Sequence, residues 1–327
     1  MAELRYHPLI KDWVIFASHR QARPQMPANG CPFCVGSGRV PDEGYTVLRY
    51  PNDFPALSED PPETDPVANH FFKARRAYGR CEVILYSPDH NATLRDLSDT
   101  HMHALARTWR ECFVDFKQDE QIKYVFLFEN RGEEVGVTMP HPHGQAYGYS
   151  IIPKKIELEA AAAREHYQET GECLYCVLLR EELAFGERVI FQNEHFSVVL
   201  PYFTEYPYGA YVFANRHYPS IDDMTEEELC SLGVTVKQAA GMFDELFGYT
   251  FPYMLCIHNA PVNSGPYESE WHFHIEFFPP MRAKDKQKYN ASSETGVWAH
   301  CNPTCPEEKA AELRAAYRAF MKLQGEA

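Results

Sequence analysis

The chain carries the same ordered set of cysteines and histidines twice. Cys31-Pro-Phe-Cys34 is followed by His90 and then by His141-Pro-His143. Cys173-Leu-Tyr-Cys176 is followed by His217 and then by His272-Phe-His274. The matching elements lie 142, 127 and 131 residues apart, so the order is kept while loops absorb the differences. The flanks agree as well. In the nine residues from His90 to Ser98 and from His217 to Thr225, position five is aliphatic, position seven is aspartate and position nine is Ser or Thr. Such self-similarity marks a duplicated unit. The expected halves are residues 1–153 and 154–327, joined by a linker helix near 155–168.

Each half then offers a Cys₂His₂ set, a common closed tetrahedron for zinc. The first is Cys31, Cys34, His90 and His141; the second is Cys173, Cys176, His217 and His272. With four protein ligands no position is left for water, so both read as structural. A redox role for either CxxC is disfavoured, because neither pair is expected to open a helix after a strand. Cys301 and Cys305 have no histidine near them except His300.

Between these landmarks lie β-branched and aromatic runs bounded by Pro, Gly and Asn, which predict strands. They fall at 81–87, 123–130 and 145–152, and again at 196–202, 209–215, 253–258 and 271–278. One long helix per half follows the lone histidine, over 98–118 and 225–247, with Ser98 and Thr225 as N-caps and a capping box at 225–228. A last helix covers 306–322, and 56–78 reads as an irregular loop. The fold class expected is α+β: tandem units sharing an antiparallel half-barrel sheet with flanking helices.

Composition narrows the function. A formal charge of −15 argues against a nucleic-acid partner, which needs a basic face. No apolar run approaches the ~18 residues of a membrane helix. The first residues lack a basic segment followed by an apolar one, so a cytoplasmic location is expected. There the ten cysteines are thiols or metal ligands rather than disulfides.

The chemistry concentrates in Thr138-Met-Pro-His-Pro-His-Gly-Gln145. If His141 is a ligand, His143 stands at a fixed distance from a rigid post, on the same face when the segment is a strand. Pro142 limits the backbone, Gly144 allows close approach, and Gln145 offers an uncharged amide to an oxyanion. A neutral histidine so held is a nucleophile toward phosphorus. Gly136 and Thr138 suit a loop that cradles phosphate oxygens. In the second half Glu276 stands where Gln145 stands. A carboxylate repels phosphate, so only the first half is expected to be catalytic.

His-Pro-His-Gly-Gln after Asn130-Arg-Gly-Glu-Glu-Val-Gly-Val-Thr-Met-Pro140 resembles the active-site signature of the galactose-1-phosphate uridylyltransferase family, of the histidine-triad superfamily. The likeness runs along nearly the whole chain. It includes Tyr50-Pro-Asn-Asp-Phe-Pro-Ala-Leu57, Ser87-Pro-Asp-His90 and Phe273-His-Ile-Glu-Phe-Phe-Pro-Pro280. The resemblance implies that His143 attacks the α-phosphorus of UDP-glucose and passes UMP to galactose-1-phosphate in a ping-pong reaction. It implies that Gln145 steadies phosphoryl oxygens and that Asn52, Asp53, Asn130, Gly136 and Thr138 contact the nucleotide. Arg20 and Arg23 would lie near the sugar phosphate, and Lys288 would be lent by the neighbouring subunit of a homodimer. Some members carry a further metal site built from a glutamate, a histidine before Asn-Ala-Pro and a later His-x-His pair. Here the corresponding positions are Glu159, His258, His274 and Glu276. Two other readings compete: a phosphorylase acting on ADP-sugars or dinucleoside polyphosphates, and a zinc-stabilised nucleotide-binding protein without turnover.

Overall fold

The computed structural model describes residues 2–22 and 30–325. The elements form where local signals are strong. Helix α1 (Asp99–Lys117) begins where the Ser98 hydroxyl accepts the backbone N–H of His101. Its buried stripe of Met102, Leu105, Ala106, Trp109, Phe113 and Phe116 follows the helical period. Helix α4 (Glu226–Phe247) opens on a capping box in which Thr225 and Glu228 each bond the other's backbone N–H. The linker helix α2 spans Lys154–Thr170, and the C-terminal helix α6 spans Pro306–Leu323.

Nine strands make one antiparallel sheet. The first half supplies β3 (Leu48–Pro51), β5 (Gly79–Leu85), β6 (Tyr124–Arg131) and β7 (His143–Tyr149). The second half supplies β8 (Val189–Gln192), β9 (Phe196–Val199), β10 (Tyr211–Ala214), β11 (Tyr253–His258) and β12 (His274–Phe278). Their order is β3-β5-β7-β6-β11-β12-β10-β9-β8. The seam is the pairing of β6 with β11, from Tyr253 opposite Arg131 to His258 opposite Phe126. About this seam the arrangement mirrors itself, with β7 matching β12 and β5 matching β10. The sheet is open, not closed into a barrel.

The two faces differ. One is covered along its whole width by α1, α4 and α6. Ile84, Leu127 and Ala146 from the first half share that core with Val212, Ile257 and Phe277 from the second. On the opposite face, α2 and a further helix, α3 (Leu174–Phe185), cap the second half through Ile156, Ala163, Tyr175 and Leu179. Over the first half no α-helix lies among the described residues. There Phe33 and Val40 pack on Val83 and Leu85, while Leu4 and Leu57 pack near Tyr147. A loop-covered face can open into clefts where a helix-covered one cannot.

Three features depart from the sequence reading. Cys173 is the N-cap of α3, so this CxxC does open a helix, though it follows α2 rather than a strand. A short apolar run such as Leu174-Tyr-Cys-Val-Leu-Leu179 has no decisive period, which is why α3 was not foreseen. Within 56–78 lies β4 (Ala74–Arg76), paired with β1 (Ala2–His7), which also pairs with β2 (Asp12–Ala17). Three residues hold a strand only because β1 offers them an edge. A small hairpin, β13 (Met281–Ala283) with β14 (Lys286–Gln287), and helix α5 (Ser292–Val297) complete the described residues. None of the described helices is long and apolar enough to cross a membrane.

Candidate functional site

Residues far apart in the chain meet at the rim of the first half. Cys31 and Cys34 lie in the loop before β3, His90 in the turn after β5, and His141 in the bend before β7. Their donor atoms all lie within 4.8 Å of one another. Cys31 Sγ is 3.7 Å from His141 Nδ1, and Cys34 Sγ is 3.5 Å from His90 Nδ1 and 3.8 Å from His141 Nδ1. A zinc tetrahedron with S at ~2.3 Å and N at ~2.1 Å has edges of about 3.6 Å, so the spacing fits. The outer shell fits too. The Nε2–H of His141 donates to the Ser87 carbonyl at 2.7 Å, which turns the Nδ1 lone pair toward the sulfurs. Burial holds the His141 pKa below its ordinary value, so the imidazole stays neutral.

The second set repeats this. Cys173, Cys176, His217 and His272 converge within the same limit. Cys176 Sγ is 3.4 Å from His217 Nδ1 and 3.3 Å from His272 Nδ1. The Nε2–H groups of these histidines donate to the carbonyls of Glu268 and Ala214, at 2.8 and 2.9 Å. Both quartets therefore have the chemistry and spacing of a metal site. Cys301 and Cys305 join no such group among the described residues, and His300 pairs with Glu205 at 3.2 Å.

His143 is the first residue of β7, whereas His141 precedes the strand, so the two imidazoles are not strand neighbours on one face. A different bond relates them. His143 Nδ1 lies 2.8 Å from the carbonyl oxygen of His141. A carbonyl can only accept, so Nδ1 carries the proton and the ring's lone pair is on Nε2. Gly144 has a packing reason: a Cβ there would meet the Tyr86 hydroxyl at 2.2 Å and the Phe128 carbonyl oxygen at 3.0 Å.

Two clefts meet at His143. The larger, about 470 Å³, is lined by Asn130, Thr138, Asn91, Thr93 and Glu129 among others. The smaller, about 320 Å³, is lined by Phe33, Tyr50, Asn52, Asp53, Val83 and Gln145, with Thr138 shared. Thr138 Oγ1 is buried and has no hydrogen-bond partner among the described residues. A buried hydroxyl left so is costly unless a ligand satisfies it.

Of the residues expected at the site, Asn52, Asp53, Asn130, Thr138, His143 and Gln145 thus line the clefts. Gly136 lines neither; at φ 79° it closes the single turn Glu133–Val135 and so shapes the loop leading to Thr138. Arg20 donates to the Tyr147 hydroxyl at 3.4 Å, beside the sheet face that bears His143 rather than in a cleft lining. Arg23 lies outside the described residues. Lys288 is buried in its own half, 3.3 Å from Asn290 Oδ1 and 3.8 Å from Glu294, over the Tyr206 ring.

Sequence reasoning missed Phe33, Arg39, Tyr50 and Glu129. Arg39 binds Asp53 at 2.7 Å, a pairing no local pattern announces. Glu129 is 5% exposed, accepts a long bond from the Tyr253 hydroxyl at 3.4 Å, and is pushed up to about 7 by burial against the opposing pull of Arg131. The second-half counterpart of His143 explains the asymmetry of the halves. His274 Nδ1 makes the same bond, to the His272 carbonyl at 2.9 Å, yet the ring is 1% exposed. It stacks against Tyr175 and Tyr211, and burial, with His258 alongside, pulls it down to about 3. It is closed off because α2 and α3 cover that face.

Fold and site together define an α+β protein of two mirrored halves, with a histidine that lines two clefts in the first of them. Residues 1–153 match the sequence pattern of the galactose-1-phosphate uridyl transferase N-terminal domain, and residues 159–290 that of its C-terminal domain. The galactose-1-phosphate uridylyltransferase of Thermotoga maritima is 38% identical over 315 residues, covering 96% of this chain and 98% of that one. The enzyme of the same name from Haemophilus influenzae is 30% identical, covering 95% and 93%. A solved uridylyltransferase structure superposes with a TM-score of 0.88 at 28% identity, covering 97% of this chain and 99% of the other. The chain belongs to the galactose-1-phosphate uridylyltransferase family.

Proposed function

We propose that the chain moves UMP from UDP-glucose to galactose-1-phosphate through a uridylyl group carried on His143. The observation that carries this is the Nδ1–H bond to the His141 carbonyl, which puts the ring's lone pair on Nε2 in a histidine that lines both clefts. In the first half-reaction Nε2 bonds to the α-phosphorus, and the bond to the bridging oxygen breaks, releasing glucose-1-phosphate. In the second, a phosphate oxygen of galactose-1-phosphate bonds to the same phosphorus. The P–N bond breaks, its electrons return to Nε2, and UDP-galactose leaves. The positive charge that develops on the ring is stabilised by the His141 carbonyl dipole facing Nδ1–H.

Asn52 and Asp53 suit the nucleoside, held among Phe33, Tyr50 and Val83 in the smaller cleft. Asp53 is pre-oriented by Arg39, and Asn52 by the backbone N–H of Phe54, which it accepts at 2.9 Å. Thr138, Asn130 and Gln145 offer neutral donors to phosphoryl oxygens, with Gly136 setting the loop. Arg20 and Arg23 would meet the sugar phosphate, and Arg is suited to it by its bidentate fork. Cys31, Cys34, His90 and His141 would hold one structural zinc, and Cys173, Cys176, His217 and His272 a second. Bound there, the ion adds rigidity rather than a reactive position, since four protein ligands complete its shell. Residues 1–153 form the catalytic half and 154–327 the supporting one. The working form is a cytoplasmic homodimer.

The test is intact mass after incubation with UDP-glucose. A gain of one UMP in the native chain, absent in His143→Ala of unchanged melting temperature, is expected. Equal adduct in both proteins sinks the assignment of the nucleophile.

A further inference from the structure

A third group of buried donors lies on the covered face of the second half. Glu159 from α2, His258 from β11 and His274 from β12 bring donor atoms within 4.8 Å of one another. Glu276, one pleat beyond His274, adjoins them, with Oε2 3.0 Å from His258 Nε2. Glu159 Oε2 is buried without a hydrogen-bond partner among the described residues. Two carboxylates and two imidazoles, with one oxygen unpartnered, form a nest that calls for positive charge. By position these are also the residues at which some family members hold a further metal.

Here the nest already contains a cation. Lys155, one turn before Glu159 on α2, places Nζ 2.5 Å from Glu276 Oε2 and 3.4 Å from Glu159 Oε1. Its side chain is half exposed, with Nζ 5.0 Å from the centre of the Phe278 ring. His258 is held as well, with Nδ1 3.0 Å from the Tyr124 hydroxyl and Nε2 on Glu276. His274 Nδ1 is committed to the His272 carbonyl, which leaves it Nε2 alone. A divalent ion bonded to Glu276 at ~2.1 Å would lie under about 5 Å from the ammonium, in a site screened from water. The two cations compete for the same oxygens.

We propose that the Lys155 ammonium serves this cluster as its cation and keeps divalent metals out. The pair Lys155–Glu276 thereby fastens α2 to β12, where a coordinated ion would otherwise do so. The inference does not depend on the transferase reading, because it concerns residues of α2, β11 and β12 that the transferase reading does not use.

Metal content tests it. The native chain is dialysed against Zn²⁺, then against buffer, and counted by elemental mass spectrometry beside Lys155→Met and the double variant Lys155→Met/His258→Ala. Two equivalents are expected in the native chain, three in Lys155→Met and two in the double variant. Cys34→Ser and Cys176→Ser report separately on the first two equivalents, so an error there does not mimic an error here. A third equivalent in the native chain that is lost in Glu159→Gln overturns the proposal. So does a folded Lys155→Met that takes up no third ion. Should Lys155→Met fail to fold, anomalous scattering from a zinc-soaked native crystal decides: a peak between Glu159, His258 and His274 refutes it, and a blank position there sustains it.

Discussion

Glu129 makes the stability of this protein depend on pH in a direction that can be worked out. The carboxyl is 5% exposed, on the helix-covered side of β6, with the Tyr253 hydroxyl as its partner. Burial raises it to about 7 from an ordinary 4.5, against the opposing influence of Arg131. A group whose pKa is raised by folding holds its proton longer in the folded state than in the unfolded chain. Its contribution is therefore complete below pH ~4.5, falls as pH rises, and levels off above ~7. Integrated between pH 5 and pH 8, the loss is about 2.5 kcal/mol. Glu129→Gln keeps the shape and removes the titration. The stability of the native chain relative to this variant should thus fall by about 2.5 kcal/mol between those pH values. The assay is chemical denaturation of both proteins at pH 5, 6, 7 and 8. Both keep the same cysteine–histidine sets, so any effect of pH on metal binding cancels in the difference. A difference that stays constant across this range would show that Glu129 is ionised throughout, with Arg131 outweighing burial.

Other perturbations have expected outcomes of their own. Cys34→Ser should lower both the metal content, by one equivalent, and the melting temperature; unchanged values for both would dissolve the first quartet as a metal site. Gly144→Ala drives a Cβ to 2.2 Å from the fully buried Tyr86 hydroxyl, and should cost about 3 kcal/mol or more in denaturation. Asp244→Ala removes the carboxylate that pairs with Arg131 and accepts the Phe251 N–H at 2.8 Å. It leaves a buried guanidinium with the Phe251 carbonyl as its remaining hydrogen-bond acceptor among the described residues, at a cost of about 3–5 kcal/mol by denaturation; a loss below ~1 kcal/mol would show that the carbonyl, the nearby Glu129 and the Tyr253 ring suffice.

What the chain alone determined was whatever rests on neighbours in sequence or on ligand chemistry. Ser98 and Thr225 announced α1 and α4 because a cap acts on backbone groups two or three residues away. The two quartets were legible because metal donors are few in kind and here recur in one order. His143 stood out because its neighbours, Pro142 and Gly144, restrict the backbone around it. Gly144 announced a close approach to the backbone, but only the fold shows that the approaching group is the Tyr86 ring. Tertiary structure alone decided the rest. Whether a histidine faces a cleft or a core depends on what covers its side of the sheet. His143 lies under loops and His274 under α2 and α3, though both make the same bond to the carbonyl two residues back. The same holds for Lys288, buried in its own half; for Glu129, raised to about 7 by burial; and for Lys155 beside Glu276, 121 residues away. Local patterns report which side chains a segment can present. Burial and charge pairing arise only when distant segments exclude water together, and no stretch of sequence carries that by itself.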